Sequence, residues 1–165
     1  MPLLDRRTDI LAQVETLLNG LTITLSDGTI PAANFVHNRN ELPAALVPGI
    51  ILLDADEVSD PRGIQAPPGR GGPPGAKLMR MTPEIYVVLD VRKPNNVNVG
   101  EDLNKARLAI LGTILNDKTL QQIVGANGQI SYDGCVTDLA RNRTMQGQLG
   151  ISVTFVYPLV PGELV

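Results

Sequence analysis

Leu149-Gly150-Ile151-Ser152-Val153-Thr154-Phe155-Val156-Tyr157 places an apolar side chain at every second position from Leu149 to Tyr157. Side chains on a strand repeat with a period of two. The stretch therefore predicts a strand with one buried and one exposed face, which belongs to an antiparallel sheet covered on one side. Pro158 and Pro161 finish the strand and leave residues 160–165 as a short extended tail.

Working outward from this strand, Asn127-Gly128 makes a turn into Ile130-Ser131-Tyr132, a further strand linked to the last through Asp138 to Arg143. Upstream, Leu103, Ala106, Ile110, Leu111, Ile114 and Leu115 recur at helical spacing. Gly100-Glu101-Asp102 opens that helix with carboxylates in the first turn, where the macrodipole favours them. Asn116-Asp117 ends it, and Asp117 can cap a short turn through Leu120, Ile123 and Val124. Ile85-Tyr86-Val87-Val88-Leu89-Asp90-Val91 is a β-branched strand closed by Lys93-Pro94-Asn95-Asn96.

The N-terminal part adds a helix on Ile10, Leu11, Val14, Leu17, Leu18 and Leu21, capped by Asp5 or Thr8 and stopped by Asn19-Gly20. Leu21-Thr22-Ile23-Thr24-Leu25 alternates as a strand, Ser26-Asp27-Gly28 turns, and Ala32 to His37 can be the returning strand. Pro43 and Pro48 bracket an extended stretch before a buried strand from Ile50 to Leu53. Between Pro61 and Gly75, ten of fifteen positions are Pro or Gly, too many for a helix or a ladder strand. The expected fold is α+β: one domain over residues 1–165, a mostly antiparallel β-sheet flanked by two main helices. A flexible Pro/Gly-rich loop over 61–77 interrupts it.

Composition narrows the function. The 165 residues are 43% hydrophobic and 19% charged, as in a soluble globular protein, with only 3% aromatic and no Trp. The net charge is −3 and the basic residues form no stripe, which disfavours specific nucleic-acid binding. A chain that lines a passage for DNA without gripping it would also lack one. The single cysteine, Cys135, excludes an internal disulfide and suits a reducing compartment. Neither a signal peptide nor an apolar run of the ~20 residues needed to span a membrane is present, so assembly in the cytoplasm is expected.

The residue types that carry chemistry are sparse. His37 is the only histidine, and no serine stands in a nucleophile-elbow pattern, so a strand-end or surface imidazole is expected. Cys135 is expected to act as a small packed hydrophobe. Asp54, Asp56, Glu57 and Asp60 are the densest acidic cluster, but the calcium-loop pattern fails at Val58 and Ser59. A solvated loop end is expected, with a channel-facing, DNA-repelling surface as the other reading. Gly69-Arg70-Gly71-Gly72 is followed by Pro73-Pro74, not by the Lys-Ser/Thr of a phosphate loop. The expectation is a non-enzymatic protein with no catalytic, cofactor or metal site.

A resemblance covers about Leu78 to Leu159. Pro83-Glu84-Ile85-Tyr86-Val87-Val88-Leu89 leads to a Lys-Pro-Asn turn and a leucine-rich helix. Leu115-Asn116-Asp117-Lys118-Thr119-Leu120 and Ile130-Ser131-Tyr132-Asp133-Gly134-Cys135 follow, and the final strand has Gly147 and Gly150 near its start and Phe155-Val156-Tyr157-Pro158 near its end. This succession resembles the tail terminator, or minor tail protein U-like, family of tailed phages. The resemblance implies a small subunit that forms a hexameric ring on the head-proximal end of the tail tube, stops its polymerisation and meets neck or head-completion proteins. DNA then passes through the lumen, and no cofactor is required. Candidate interface residues are Arg62, Arg70 and Lys77 of the loop, Arg141 and Arg143 before the last strand, and Glu163 of the tail. Another neck connector ring is the nearest alternative, then a soluble binding module, and an enzyme last.

Overall fold

Strand β9, Gln146–Leu159, is the axis of the molecule. Its alternation is realised as expected: Leu149, Ile151, Val153, Phe155 and Tyr157 are all buried in the main core. The computed structural model describes residues 5–26, 28–61, 77–90, 99–139 and 146–160.

One side of β9 carries β6, Lys77–Met81, and β7, Glu84–Asp90, both antiparallel to it. The pairs Lys77↔Leu159 and Asp90↔Gln146 fall in one unbroken register, so β6 and β7 form a single long strand interrupted at Thr82-Pro83. Pro83 has no N–H to give a ladder, which accounts for the break. The other side of β9 carries β8, Gln129–Leu139. A register shift between Tyr132 and Gly134 leaves Asp133 as a bulge, and Gly134 takes φ 136°, which favours glycine.

Beyond β7 and β6 lie β4, Gly49–Leu53, and β5, Glu57–Ser59, both antiparallel to their partners. Asp54, Ala55 and Asp56 oppose only Thr82 and Pro83, so the two are one strand with a bulge. Strand β3, Phe35–His37, runs parallel to β4. The order across the sheet is β3, β4/β5, β7/β6, β9, β8.

Helices α1 (Arg6–Asn19), α2 (Val99–Leu115) and α3 (Lys118–Val124) cover the face of β9 that holds Phe155 and Tyr157. The Asp5 carboxylate caps α1 through the Thr8 N–H, and Asp117 caps α3 through the Leu120 N–H at 2.7 Å. Ile10, Val14, Leu18, Ile110 and Ile114 are buried against the sheet, each contributing about 1.5–3 kcal/mol of transfer free energy. The Arg6 Nη1 donates to the Ile123 carbonyl at 2.6 Å and ties α1 to α3. No described helix is long and apolar enough to cross a membrane.

The α+β class and the mostly antiparallel sheet match expectation, but several elements differ. The partner of β1, Ile23–Leu25, is β2, Gly28–Ile30, and the two form a separate ribbon. The segment from Ala32 to His37 does not return beside β1. Ile23 and Ile30 are buried in the core, and Pro31 cannot continue the ladder, so the chain leaves for the main sheet at β3. The stretch bracketed by Pro43 and Pro48 holds a 3-10 turn, Ala44–Leu46. Together with Leu42 before it, the stretch supplies Leu46 and Val47 to a second, small cluster around Val36, Ile51 and Val88, on the face opposite the helices. Lys77 begins β6 instead of ending the expected 61–77 loop, of which residues 62–76 lie outside the described residues.

Candidate functional site

The first candidate is the one histidine. His37 ends β3, as expected, and its Nε2 lies 2.6 Å from Asp54 Oδ1 while its Nδ1 lies 3.2 Å from Glu15 Oε2. Asn38 holds Asp54 from a second side: its Nδ2 donates to Asp54 Oδ2 at 3.1 Å, and its Oδ1 accepts from the Asp54 N–H at 3.0 Å. Asn38 takes φ 53°, a left-handed value that asparagine tolerates, and this turns its amide toward Asp54.

Burial disfavours the charged imidazole, but the Asp54 hydrogen bond and charge, joined by those of Glu15, outweigh it and raise the His37 pKa above 6.5. Burial likewise pushes the Asp54 carboxyl up; the bonds from His37 and Asn38 and the charges of His37 and Arg7 outweigh it and hold Asp54 below 3.8. With both ring nitrogens engaged, His37 is a cross-brace between α1, β3 and the β4–β5 bulge.

The second candidate is a groove of about 660 Å³ on the open face of the sheet. Its floor is a row of cross-strand neighbours, Val58, Arg80, Val156 and Gln129. A second row carries Thr82, Thr154 and Ser131. The Thr82 and Thr154 hydroxyls are 2.8 Å apart, and Thr154 donates to the bulged Asp133. Among the described residues, Asp56, Asp60 and Asp133 line the groove together with the cationic Arg80.

The third candidate is the pair of sheet margins. The strand β8 is eleven residues long and, among the described residues, pairs only with β9. Cys135 faces Ile151, yet Cys135 is exposed and Ile151 is buried, so helical cover ends between the two strands at this level. The expectation of a packed Cys135 is thus corrected. The Cys135 thiol, together with burial, raises the pKa of Tyr132, against the lowering effect of the Arg107 guanidinium, which stands 5.9 Å from the ring centre.

The acidic cluster does not behave as one solvated loop end, because a strand runs through it. Asp54 is bound to His37, and Glu57 lies on the helix face, where it accepts from the Tyr157 hydroxyl at 2.6 Å. Burial first, then Glu57, pushes the Tyr157 pKa up, so that hydroxyl stays a donor. Asp60 is only 7% exposed, and its N–H donates to the Leu78 carbonyl at 2.8 Å; Asp56 is exposed. The four carboxylates thus divide: Asp54 goes to His37, Glu57 to Tyr157, and Asp56 and Asp60 both line the open-face groove. Among the described residues, no group of three or more His, Cys, Asp and Glu side chains is placed to hold a metal ion.

Of the expected interface residues, Lys77 is exposed at the start of β6. Arg62, Arg70, Arg141, Arg143 and Glu163 lie outside the described residues. Sequence reasoning missed Glu15, Val58, Arg80, Asp133 and Val136, none of which stands in a motif. No family model and no curated protein matches the chain.

Proposed function

We propose that the chain is a structural, non-enzymatic virion protein: a ring-forming tail terminator that caps the head-proximal end of a phage tail tube and joins it to the neck. One observation carries the reading. The half of the chain that bears the resemblance builds a sheet whose long margin strand, β8, has no second strand beside it among the described residues and exposes Cys135, Val136 and Thr137. A subunit with open margins is suited to repeat around a closed ring.

Its partners in this reading are further copies of itself, in a hexameric ring, the tail tube protein and a neck or head-completion protein. Genomic DNA passes through the lumen without specific binding. The acidic lining of the open-face groove, with Asp56, Asp60 and Asp133 against Arg80, suits a surface that DNA slides past. No cofactor takes part, and the protein resides in the virion after assembly in the host cytoplasm.

Inactivating the gene in its phage and measuring tail length by electron microscopy tests this. Overlong tubes with unattached heads are expected. Tails of normal length without heads would assign the chain to a neck connector instead, and normal virions would exclude both.

A further inference from the structure

Three large apolar side chains among the described residues are exposed, and two of them sit on the margins of one sheet. Val58 in β5 is 45% exposed and Val136 in β8 is 76% exposed. Both point to the open face. Val58 is in line with Arg80 and Val156, whereas Val136 is in line with Gly150 and Tyr86, a member of the small open-face cluster.

Among the described residues, each of these two margin strands has one edge with no strand beside it: β5 pairs only with β6 and β8 only with β9. Exposed edges are ordinarily blunted by short length, Lys or Pro. Over its eleven residues β8 contains no Lys, Arg or Pro, and its bulge at Asp133 leaves the run from Gly134 to Leu139 regular. The competing margin strand, β3, is only three residues long, and its Val36 is covered by Leu42, Leu46 and Val47, so it offers no exposed apolar side chain to match Val136.

The strand directions complete the match. Across β5, β6, β9 and β8 every neighbour is antiparallel, and the number of strands is even. A head-to-tail repeat of this unit therefore sets β8 of one copy antiparallel to β5 of the next, with both valines on the same face. We infer that subunits join by strand addition, β8 of one copy against β5 of the next, with Val136 packing on Val58 across the joint. This rests on the ring reading and names the surface that builds it. Main-chain hydrogen bonds supply the attraction and the two valines fix the register.

The native single cysteine makes the joint testable. Cys135 and Ser59 both point to the helix face, since Cys135 faces Ile151 and Ser59 faces Met79. Across a paired joint they come within the ~4.4–6.8 Å Cα separation that a disulfide needs. Ser59→Cys, and separately Val58→Cys with Val136→Cys in a Cys135→Ser background, would be oxidised mildly and run on a non-reducing gel. A ladder of covalent multimers beyond the dimer is expected from either pair. Val136→Lys is expected to weaken association at least about tenfold, the loss that ~1.4 kcal/mol of lost binding would produce, with an unchanged melting temperature at a dilution where both proteins are monomeric. If the wild type is oligomeric by light scattering yet neither pair passes the dimer, the joint lies elsewhere and the ring reading stands. If the wild type is a monomer, both fall.

Discussion

Strands β9 and β8 are paired over most of their length, yet they treat apolar surface in opposite ways. In β9, Ile151, Val153, Phe155, Val156 and Tyr157 are all buried; in β8, Cys135, Val136 and Thr137 are exposed. The residue types do not explain this, since valine occurs in both. Position does. The strand β9 has a neighbour on each side and helices above, whereas the far half of β8 has, among the described residues, one neighbour and exposed side chains at Cys135, Val136 and Thr137. The first arrangement holds the subunit together, and the second leaves backbone and side chains available to another chain.

The largest effect that sharpens this contrast is expected at Phe155. Phe155→Ala empties a fully buried site under the helices and should cost about 3–5 kcal/mol in urea denaturation. A loss below about 1 kcal/mol would mean that β9 is not the core strand.

Next is Asp102, a charged residue only 2% exposed. Its carboxylate accepts the Ser26 N–H and the Ser26 hydroxyl, each at 2.8 Å, and so pins the β1–β2 ribbon to α2. Asp102→Ala leaves both donors without this partner and should cost about 2–3 kcal/mol. Faster amide hydrogen exchange should appear in the ribbon first, while β8 stays unchanged.

The His37 brace comes third, and its effect depends on pH. The His37 pKa is raised above 6.5, so this contribution is complete below that pH and fades as pH rises through the folded value. The Asp54 pKa is lowered below 3.8, so its contribution is complete above that pH and fades as pH falls through the folded value. The brace is at full strength between the two. His37→Gln should therefore cost about 1–2 kcal/mol near pH 6 and less near pH 9. Equal losses at both pH values would mean that no ion pair contributes to the brace.

The smallest effect on the subunit is expected at the margin. Val136→Ser should change subunit stability by less than about 0.5 kcal/mol, as exposed substitutions do. The same change should weaken self-association, and that separation of the two readouts is the sharpest form of the contrast.

The sequence makes the covered region legible and the margins much less so. Helix α2 and strand β9 were expected close to where they lie, because each keeps one face buried over many residues and the period shows. The far half of β8 carries no such period, since both its faces are exposed, so the strand was expected to end near Tyr132. Strand β5 is three residues long among carboxylates, and β6 mixes Lys77 and Arg80 with methionines; neither is long enough for alternation to register. The His37 brace brings together residues 22 and 17 positions apart on three elements, a juxtaposition that only the tertiary fold supplies. Exposure of Val58 and Val136 likewise follows from which strands end at the margins, and spacing along the chain does not encode that.

The open margins are proposed to make this chain a subunit of a closed assembly. Native mass spectrometry of the purified wild-type protein at the highest concentration it tolerates tests this most directly. A single closed oligomer at a fixed multiple of 17.7 kDa is the expected result. A particle that stays at 17.7 kDa throughout would contradict it.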